Sequence, residues 1–315
     1  MTATIAEPPP DKRGIRAPKF LLAAPSWIWY VIFFAVPVAL VVVSSFGEKV
    51  AGSAGRVDLS SPNLDQYREA LGLGDADNTF FTVLKQGMRT SIIGTTLCLF
   101  IGMPFAYYLA VKVSEKWRGL LLMLLMIPFF TNFLIRTIAW KIVLAPRGFI
   151  ANTLIDWGIR DTPIQLLNTR FAVQLGVVYN YLPLMIFPLF VALDRLDPAL
   201  REASKDLGAN RVRTFTQVTL PLAMPGIVAG LVLVFVPLSG DYITAATLGG
   251  AKGNMAGALV AAQYLEAQNP ALGSAIAVVL ILFILLLLGA FAIVGKLTAD
   301  ALRRHRRVTI AGAAA

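Results

Sequence analysis

Six long apolar stretches, set apart by charged residues, decide what this chain can fold into. They run over Phe20–Gly47, Thr90–Val111, Gly119–Ile135, Phe171–Leu193, Leu220–Gly240 and Ala267–Gly295. Each helical residue adds about 1.5 Å, so roughly 20 apolar residues cross the ~30 Å hydrocarbon core of a bilayer. One such stretch could be a buried helix of a soluble protein; for six in one chain that reading fails. The third is the shortest, and Thr137–Trp140 extend it past Arg136, which is expected near one membrane interface. Composition agrees: 57% of residues are hydrophobic and 15% charged, against about 25% charged in a soluble domain. The expected fold is an all-α integral membrane protein with six transmembrane helices. Prolines 25, 37, 104, 128, 183, 188, 225 and 237 lie within or at the ends of the spans. Bundles tolerate them where neighbouring helices or a lined cavity satisfy the freed backbone groups, which favours a transporter over inert anchors.

Orientation follows from the Lys and Arg residues in the loops. With the N-terminus inside, the inner segments carry Lys12, Arg13, Arg16 and Lys19, then Lys112, Lys116 and Arg118. They also carry Arg195, Arg201, Lys205, Arg211 and Arg213, and finally Lys296, Arg303, Arg304, Arg306 and Arg307. The outer segments are poorer in positive charge, so both termini are expected on the cytoplasmic side of a cell membrane. The net charge of +10 is then a topology signal that needs no nucleic-acid partner. Residues 1–18, with Pro8-Pro9-Pro10, read as a disordered cytoplasmic tail. Residues 19–300 form the membrane domain, with a cytoplasmic loop over 194–221, and 301–315 a basic tail. The apolar run after the N-terminal tail is too long for a signal-peptide core and reads as a retained span. The outer loop after the first span is acidic (Glu48, Asp58, Asp65, Glu69, Asp75, Asp77) and is expected to hold one short helix at Leu64–Leu71.

Reactive chemistry is missing. A single cysteine, Cys98, allows no intrachain disulfide, and His305 is the only histidine, so no Cys/His metal cluster can be assembled. No paired-carboxylate, Ser-His-Asp or Cys-His constellation is evident. The stretch Gly289-Ala-Phe-Ala-Ile-Val-Gly295-Lys296-Leu297 fails as a phosphate-binding loop. That loop has four residues between its glycines and Ser or Thr after the Lys; this one has five, then Leu. The chain is expected to be no enzyme and to bind no cofactor, so any energy source for transport must lie on another polypeptide.

The loop between the fourth and fifth stretches is long and polar. Asp197-Pro198 is a helix start, a side-chain cap followed by proline at the first helical position, and Gly208 is a helix stop. Within Pro198–Leu207, Leu200, Ala203 and Leu207 share one face. A second short helix is expected from Asn210 to Val218, ahead of Pro221 and Pro225. Two such helices could be no more than a solvated linker.

Glu202-Ala203-Ser204, three residues, Gly208, nine residues and Val218-Thr219-Leu220-Pro221 resemble the EAA loop of ABC importer permeases. That family's pattern is Glu-Ala-Ala, three residues, Gly, nine residues, Ile, any residue, Leu-Pro. Ser204 replaces the second Ala, and Val218 the Ile. The resemblance spans about Gly148 to Gly289. Tyr179-Asn-Tyr-Leu-Pro183, Leu220-Pro-Leu-Ala-Met-Pro-Gly226, Gly240-Asp-Tyr-Ile-Thr244 and Leu248-Gly-Gly-Ala-Lys252 look most like the spermidine/putrescine-type permeases. It implies the fold of a type I importer permease, and a chain that forms half of a two-subunit channel. It also implies partners: a second permease, two ATPases that carry ATP and Mg, and an external solute-binding protein. Pro198–Leu207 would be a coupling helix, with Glu202, Ala203, Ser204, Asp206, Leu207, Gly208, Leu220 and Pro221 as the coupling residues. Permeases for phosphonate or ferric iron share variants of these motifs, and an ion-coupled secondary carrier is a rival from another class. Such carriers often show inverted repeats, and no self-similarity between the halves is evident.

Depth estimates pick out a candidate substrate pathway. Tyr179, Asn180 and Tyr181 lie about 12–15 Å into the fourth span, where an amide between two phenols could bind an ammonium by hydrogen bonding and cation–π contact. Helix–helix hydrogen bonding is the plainer alternative. Asp241, beside Tyr242, lies 16 residues beyond Pro225, in the outer half of the membrane, where a carboxylate suits a cationic substrate. A structural cap or a salt bridge to Arg136 would account for it equally well. Asn132 is a further pathway candidate. Gly226-x-x-x-Gly230 permits close helix packing.

Overall fold

The computed structural model describes residues 19–50, 52, 55–73, 79–250, 253 and 255–313. The first helical stretch comprises α1 (Lys19–Tyr30), a π-helical turn (Val31–Ala35) and α2 (Val36–Ser44). A two-stranded antiparallel hairpin follows, β1 (Glu48–Lys49) with β2 (Val57–Asp58), in which Glu48 faces Asp58 and Lys49 faces Val57. The short helix expected in this loop is α3 (Asp65–Ala70). Next come α4 (Thr79–Val111), α5 (Glu115–Phe130), α6 (Phe133–Val143), α7 (Phe149–Asp156) and α8 (Arg170–Asp194). The loop helices are α9 (Pro198–Asp206) and α10 (Arg211–Thr214), the latter running through a π turn (Phe215–Thr219) into α11 (Leu220–Leu222). The chain ends with α12 (Met224–Ser239), a π turn (Ala245–Gly249), α13 (Ala256–Leu265) and α14 (Pro270–Ala313). The N-terminal tail, Asp75, Asp77 and Lys252 lie outside the described residues.

By length and composition four helical segments can cross a membrane: Ala23–Ser44, Phe80–Val111, Arg170–Asp194 and Pro270–Leu297. The other two spans are bent pairs. The third stretch breaks by 85° between α5 and α6, and the fifth by 67° between Arg211–Leu222 and Met224–Ser239. The stretches Gly119–Ile135 and Leu220–Gly240 are thus bent spans, although apolar composition runs through both bends unchanged. At the first, Thr131 and Asn132 leave helical geometry, and the Asn132 side chain caps α6 by accepting the Leu134 backbone N–H at 2.8 Å. Arg136 is 8% exposed, covered by the bundle. At the other end of the molecule α4 starts earlier than expected, which puts Lys85 and Arg89 on its exposed first turns. The last helix runs on to Ala313.

α4, α8 and α12 form the core. Cys98, Met103, Ala106 and Leu109 of α4 pack with Val177, Met185, Ile186, Leu189 and Leu193 of α8, and with Ile227, Val234 and Leu238 of α12. α12 runs antiparallel to α8, and two glycines let the backbones meet. A Cβ on Gly226 would fall on Ala192 and lie 2.7 Å from the Pro188 carbonyl; one on Gly230 would lie 2.7 Å from Met185 Sδ. After α12 the chain does not simply leave the bundle. Gly253 packs on the Ala245 carbonyl, and Gly257, in the first turn of α13, on the Gly240 carbonyl, so α13 starts at the level where α12 ends. Irregular backbone at such depth is tolerated where protein covers it; Thr244, Ala245, Leu248, Met255 and Ala256 are all buried. By contrast, no residue in the apolar window of Ala23–Ser44 is covered by the rest of the chain.

At the face carrying α9, Arg118 pairs with Asp194 at 2.6 Å and donates through Nε to the Val113 carbonyl at 2.9 Å. This ties the α4–α5 turn to the end of α8. At the opposite face, Lys49 donates to the Ala267 carbonyl at 2.8 Å, and the Tyr67 and Ser45 hydroxyls are 2.6 Å apart. The Ser60 backbone N–H donates to Asp58 at 2.8 Å and holds that carboxyl below its usual range. Gly226→Leu is expected to destabilise the bundle by about 1–3 kcal/mol through overpacking. Gly289→Leu, where a side chain would meet nothing within 4 Å, is expected to be silent. Thermal melting of the detergent-solubilised protein checks both.

Candidate functional site

Two places in the fold gather the residues singled out by sequence. The first is the α9–α10 loop. Asp197 caps α9 by accepting the Ala199 backbone N–H at 2.9 Å, with Pro198 at the first helical position. Gly208 ends it at φ +83°, a left-handed conformation that a side chain would strain. Asn210 then caps α10 by accepting the Arg213 backbone N–H at 2.8 Å. The expected helix–glycine–helix layout is present, and the second helix continues further than Val218.

The faces of α9 are unequal. Glu202, Ala203, Asp206 and Gly208 are exposed, as are Leu200 at 43% and Leu207 at 90%. Val212 on α10 is also 69% exposed. Ser204 is half-buried and turns inward, its hydroxyl 3.2 Å from that of Thr214, which is buried. Phe215 packs edge-on against Tyr107 of α4 at 5.5 Å, and Leu220 packs against the core beside it. Pro221 is half-buried next to the 67° bend at Ala223. The loop is thus a short helix with apolar and acidic side chains uncovered, tied to α10 by a hydroxyl pair, and α10 in turn leads into a ring contact with α4.

The second place lies inside the bundle. α8 meets α12 and the following segment in antiparallel order: Gly226 at Pro188, Gly230 at Met185, Pro237 at Tyr181 and Thr244 at Gly176. Counting from Arg170, these last two levels are about 9–16 Å into α8, so Asp241 sits at the depth of Gly176–Tyr181. Asn180, 1% exposed, donates to Thr137 of α6 at 3.3 Å. Tyr181, 7% exposed, reaches the Pro237 carbonyl at 3.5 Å and its ring lies 6.2 Å from that of Phe133. Asp241 is 6% exposed and accepts the Thr244 backbone N–H at 3.0 Å. It therefore works as a cap, and it makes no ion pair with Arg136. The Arg136 guanidinium instead lies over the rings of Phe129 at 5.6 Å and Phe133 at 5.7 Å.

What distinguishes this cluster is how many polar atoms it leaves unused. Asn180 Oδ1, Asp241 Oδ2, Thr244 Oγ1 and Arg136 Nε are all buried without a hydrogen-bond partner. Thr95 Oγ1 and Gln174 Nε2, on α4 and α8, are in the same condition. Most buried polar groups in folded proteins are paired, and an unpaired one in a membrane is more costly still. The structure brings Asn180, Tyr181 and Asp241 together but separates the other candidates from them. Tyr179 is 39% exposed with its ring edge-on to Trp140 at 5.4 Å. Tyr242 is 47% exposed, and Asn132 is the exposed cap of α6. Sequence reading named Arg136 only as an ion-pair partner for Asp241 and missed Thr137 and Thr244. Arg136 carried a signal, as a charge inside an apolar run; two threonines are not distinctive until their neighbours are known.

Comparison with other proteins places this geometry in a family. Residues 98–300, which include both places, match the family described as binding-protein-dependent transport system inner membrane component. The chain is 38% identical over 252 residues to the spermidine/putrescine transport system permease protein PotB of Salmonella typhimurium strain SL1344, covering 80% of this chain and 85% of that protein. It is 38% identical over 273 residues to PotB of Haemophilus influenzae, covering 85% of this chain and 91% of that protein. Among solved structures, a bacterial alginate ABC transporter in complex with an alginate pentasaccharide-bound periplasmic protein has a chain of the same fold. Its TM-score is 0.68 at 16% identity, over 89% of this chain and 94% of that one. A helical bundle of four straight and two bent spans, matched over most of its length, identifies the chain as a multi-pass permease of the binding-protein-dependent transport system inner membrane component family.

Proposed function

We propose that this chain is one half of the translocation pathway of an ATP-driven importer for polyamines of the spermidine and putrescine kind. The observation that carries the reading is the 38% identity to PotB proteins across four-fifths of the chain. The cluster around Asp241 is compatible with such a substrate, because a carboxylate oxygen, an amide oxygen and a tyrosine ring are groups that hold an alkylammonium ion. Phosphonate would meet a free carboxylate instead of a free cradle of donors. The loop supports the other half of the reading. α9 presents Glu202, Leu200 and Leu207 to whatever binds it, and the bundle behind carries no phosphate loop of its own. ATP and Mg would reside on two partner ATPases, which seat α9 and drive it. A second permease would complete the pathway and an external solute-binding protein would load it. With α9 facing those ATPases, both termini are cytoplasmic.

In this mechanism the chain contributes a lever. A push on α9 passes through Ser204 and Thr214, and through Phe215 and Tyr107, into α4 and the bent fifth span. Glu202→Ala removes the acidic anchor, and Gly208→Ala forces a side chain into the left-handed region at a cost of about 1 kcal/mol or more. Each is expected to cut spermidine uptake at least tenfold in cells lacking their own polyamine permease, while immunoblots show normal amounts in the membrane. Unchanged uptake in both variants would refute the coupling assignment. For the wild type, unlabelled putrescine is expected to compete with labelled spermidine, whereas phosphonate and ferric iron are not. Competition by the latter alone would assign the other solute class.

A further inference from the structure

Arg136 is the charge in the buried cluster that the pathway reading leaves without a role. It sits on α6 beside Thr137, which holds Asn180, at the depth where Tyr179 and Tyr181 project from α8. It is 8% exposed and its Nε has no partner. Among the described residues no carboxylate lies within ion-pair distance of it. Its partners are the faces of Phe129 and Phe133 and the phenols of Tyr179 and Tyr181 within electrostatic reach. Tyr181 in turn is close to Asp241. One phenol therefore stands between a buried guanidinium and a buried carboxylate that do not touch, and each of the two keeps an unused polar atom.

An arginine retained for packing alone would be expected to find an acid or carbonyls, because an incompletely paired cation inside a membrane is expensive. Aromatic faces recover part of that penalty without cancelling the charge, so its field persists across Tyr181. A carboxylate with a free oxygen in such a medium would hold an ammonium strongly. A transport site must bind well enough to load and weakly enough to empty. We propose that Arg136 is a resident cation that weakens the hold of Asp241 on an entering cation, so that the cation is released. The proposal rests on the reading of this cluster as the substrate route.

The test uses the purified complex of both permeases and the ATPases, without the solute-binding protein, and labelled spermidine as probe. Arg136→Gln is expected to tighten equilibrium binding of spermidine on the order of tenfold, the effect of one unit charge on another across a side chain at intermediate dielectric. With the binding protein restored in liposomes, its maximal uptake rate is expected to fall because release slows. Arg136→Lys, which keeps the charge, is expected to restore both values. Asp241→Asn is measured in parallel and is expected to weaken binding. If Asp241→Asn weakens binding while Arg136→Gln leaves it unchanged or weakens it, the inference about Arg136 is overturned and the pathway reading stands. If Asp241→Asn has no effect, the pathway reading itself fails. Arg136→Met keeps the aliphatic stem between the two rings and replaces the Gln variant should that one not assemble. Failure of both uncharged variants to assemble would also overturn the proposal, since the charge would then be structural.

Discussion

Hydrocarbon offers no hydrogen bonds, and this exclusion organises everything in the protein that lies within the membrane. Backbone polar groups must be satisfied by helices or covered by other parts of the chain. The long helices meet the demand alone. Between α12 and α13 the described residues meet it by burial, Thr244, Ala245, Leu248 and Met255 among them, with glycines at 253 and 257 admitting backbone against backbone. Asp241 and Asn132 serve the same need at smaller scale, each capping the first turn of a helix that starts afresh after a break, the first buried and the second exposed. Against that economy, the unpaired atoms of Asn180, Asp241, Thr244 and Arg136 are exceptions.

Much of the architecture was legible in the residues, and the parts that were not share a cause. The apolar stretches, the short helix after the hairpin, the Asp197 cap and the Gly208 stop are local signals, and each lies where the sequence puts it. The bends at Thr131–Asn132 and Ala223 are not local in this sense, since hydropathy is the same on both sides of each. Their marks are finer: an asparagine placed to cap α6, and Pro221 and Pro225 flanking Ala223. Arg136 shows the same limit. Hydropathy does not say which way it faces; beyond an 85° turn five residues earlier it is covered by the bundle.

The cluster was half visible for a comparable reason. Asn180, Tyr181 and Asp241 are conspicuous because polar side chains are rare in apolar runs, and depth along a helix follows from arithmetic. Whether such a residue faces inward depends on its neighbours in space. That is why Tyr179 and Tyr242, which look equivalent on paper, lie largely uncovered while Tyr181 does not. Ser204 illustrates the reverse. It looks like a minor departure from a small-residue pattern, yet its hydroxyl meets Thr214 and joins α9 to α10.

The contact between Lys49 and the Ala267 carbonyl has a mechanical meaning. It anchors the start of the hairpin to the turn that precedes α14, while Ala70 of α3 packs with Leu272 and Ile276 of that same helix. The hairpin and α3 are thereby fastened to α14, with Phe80 at the start of α4 packed beside them. Were the core to tilt, these segments would move with α14 like a collar.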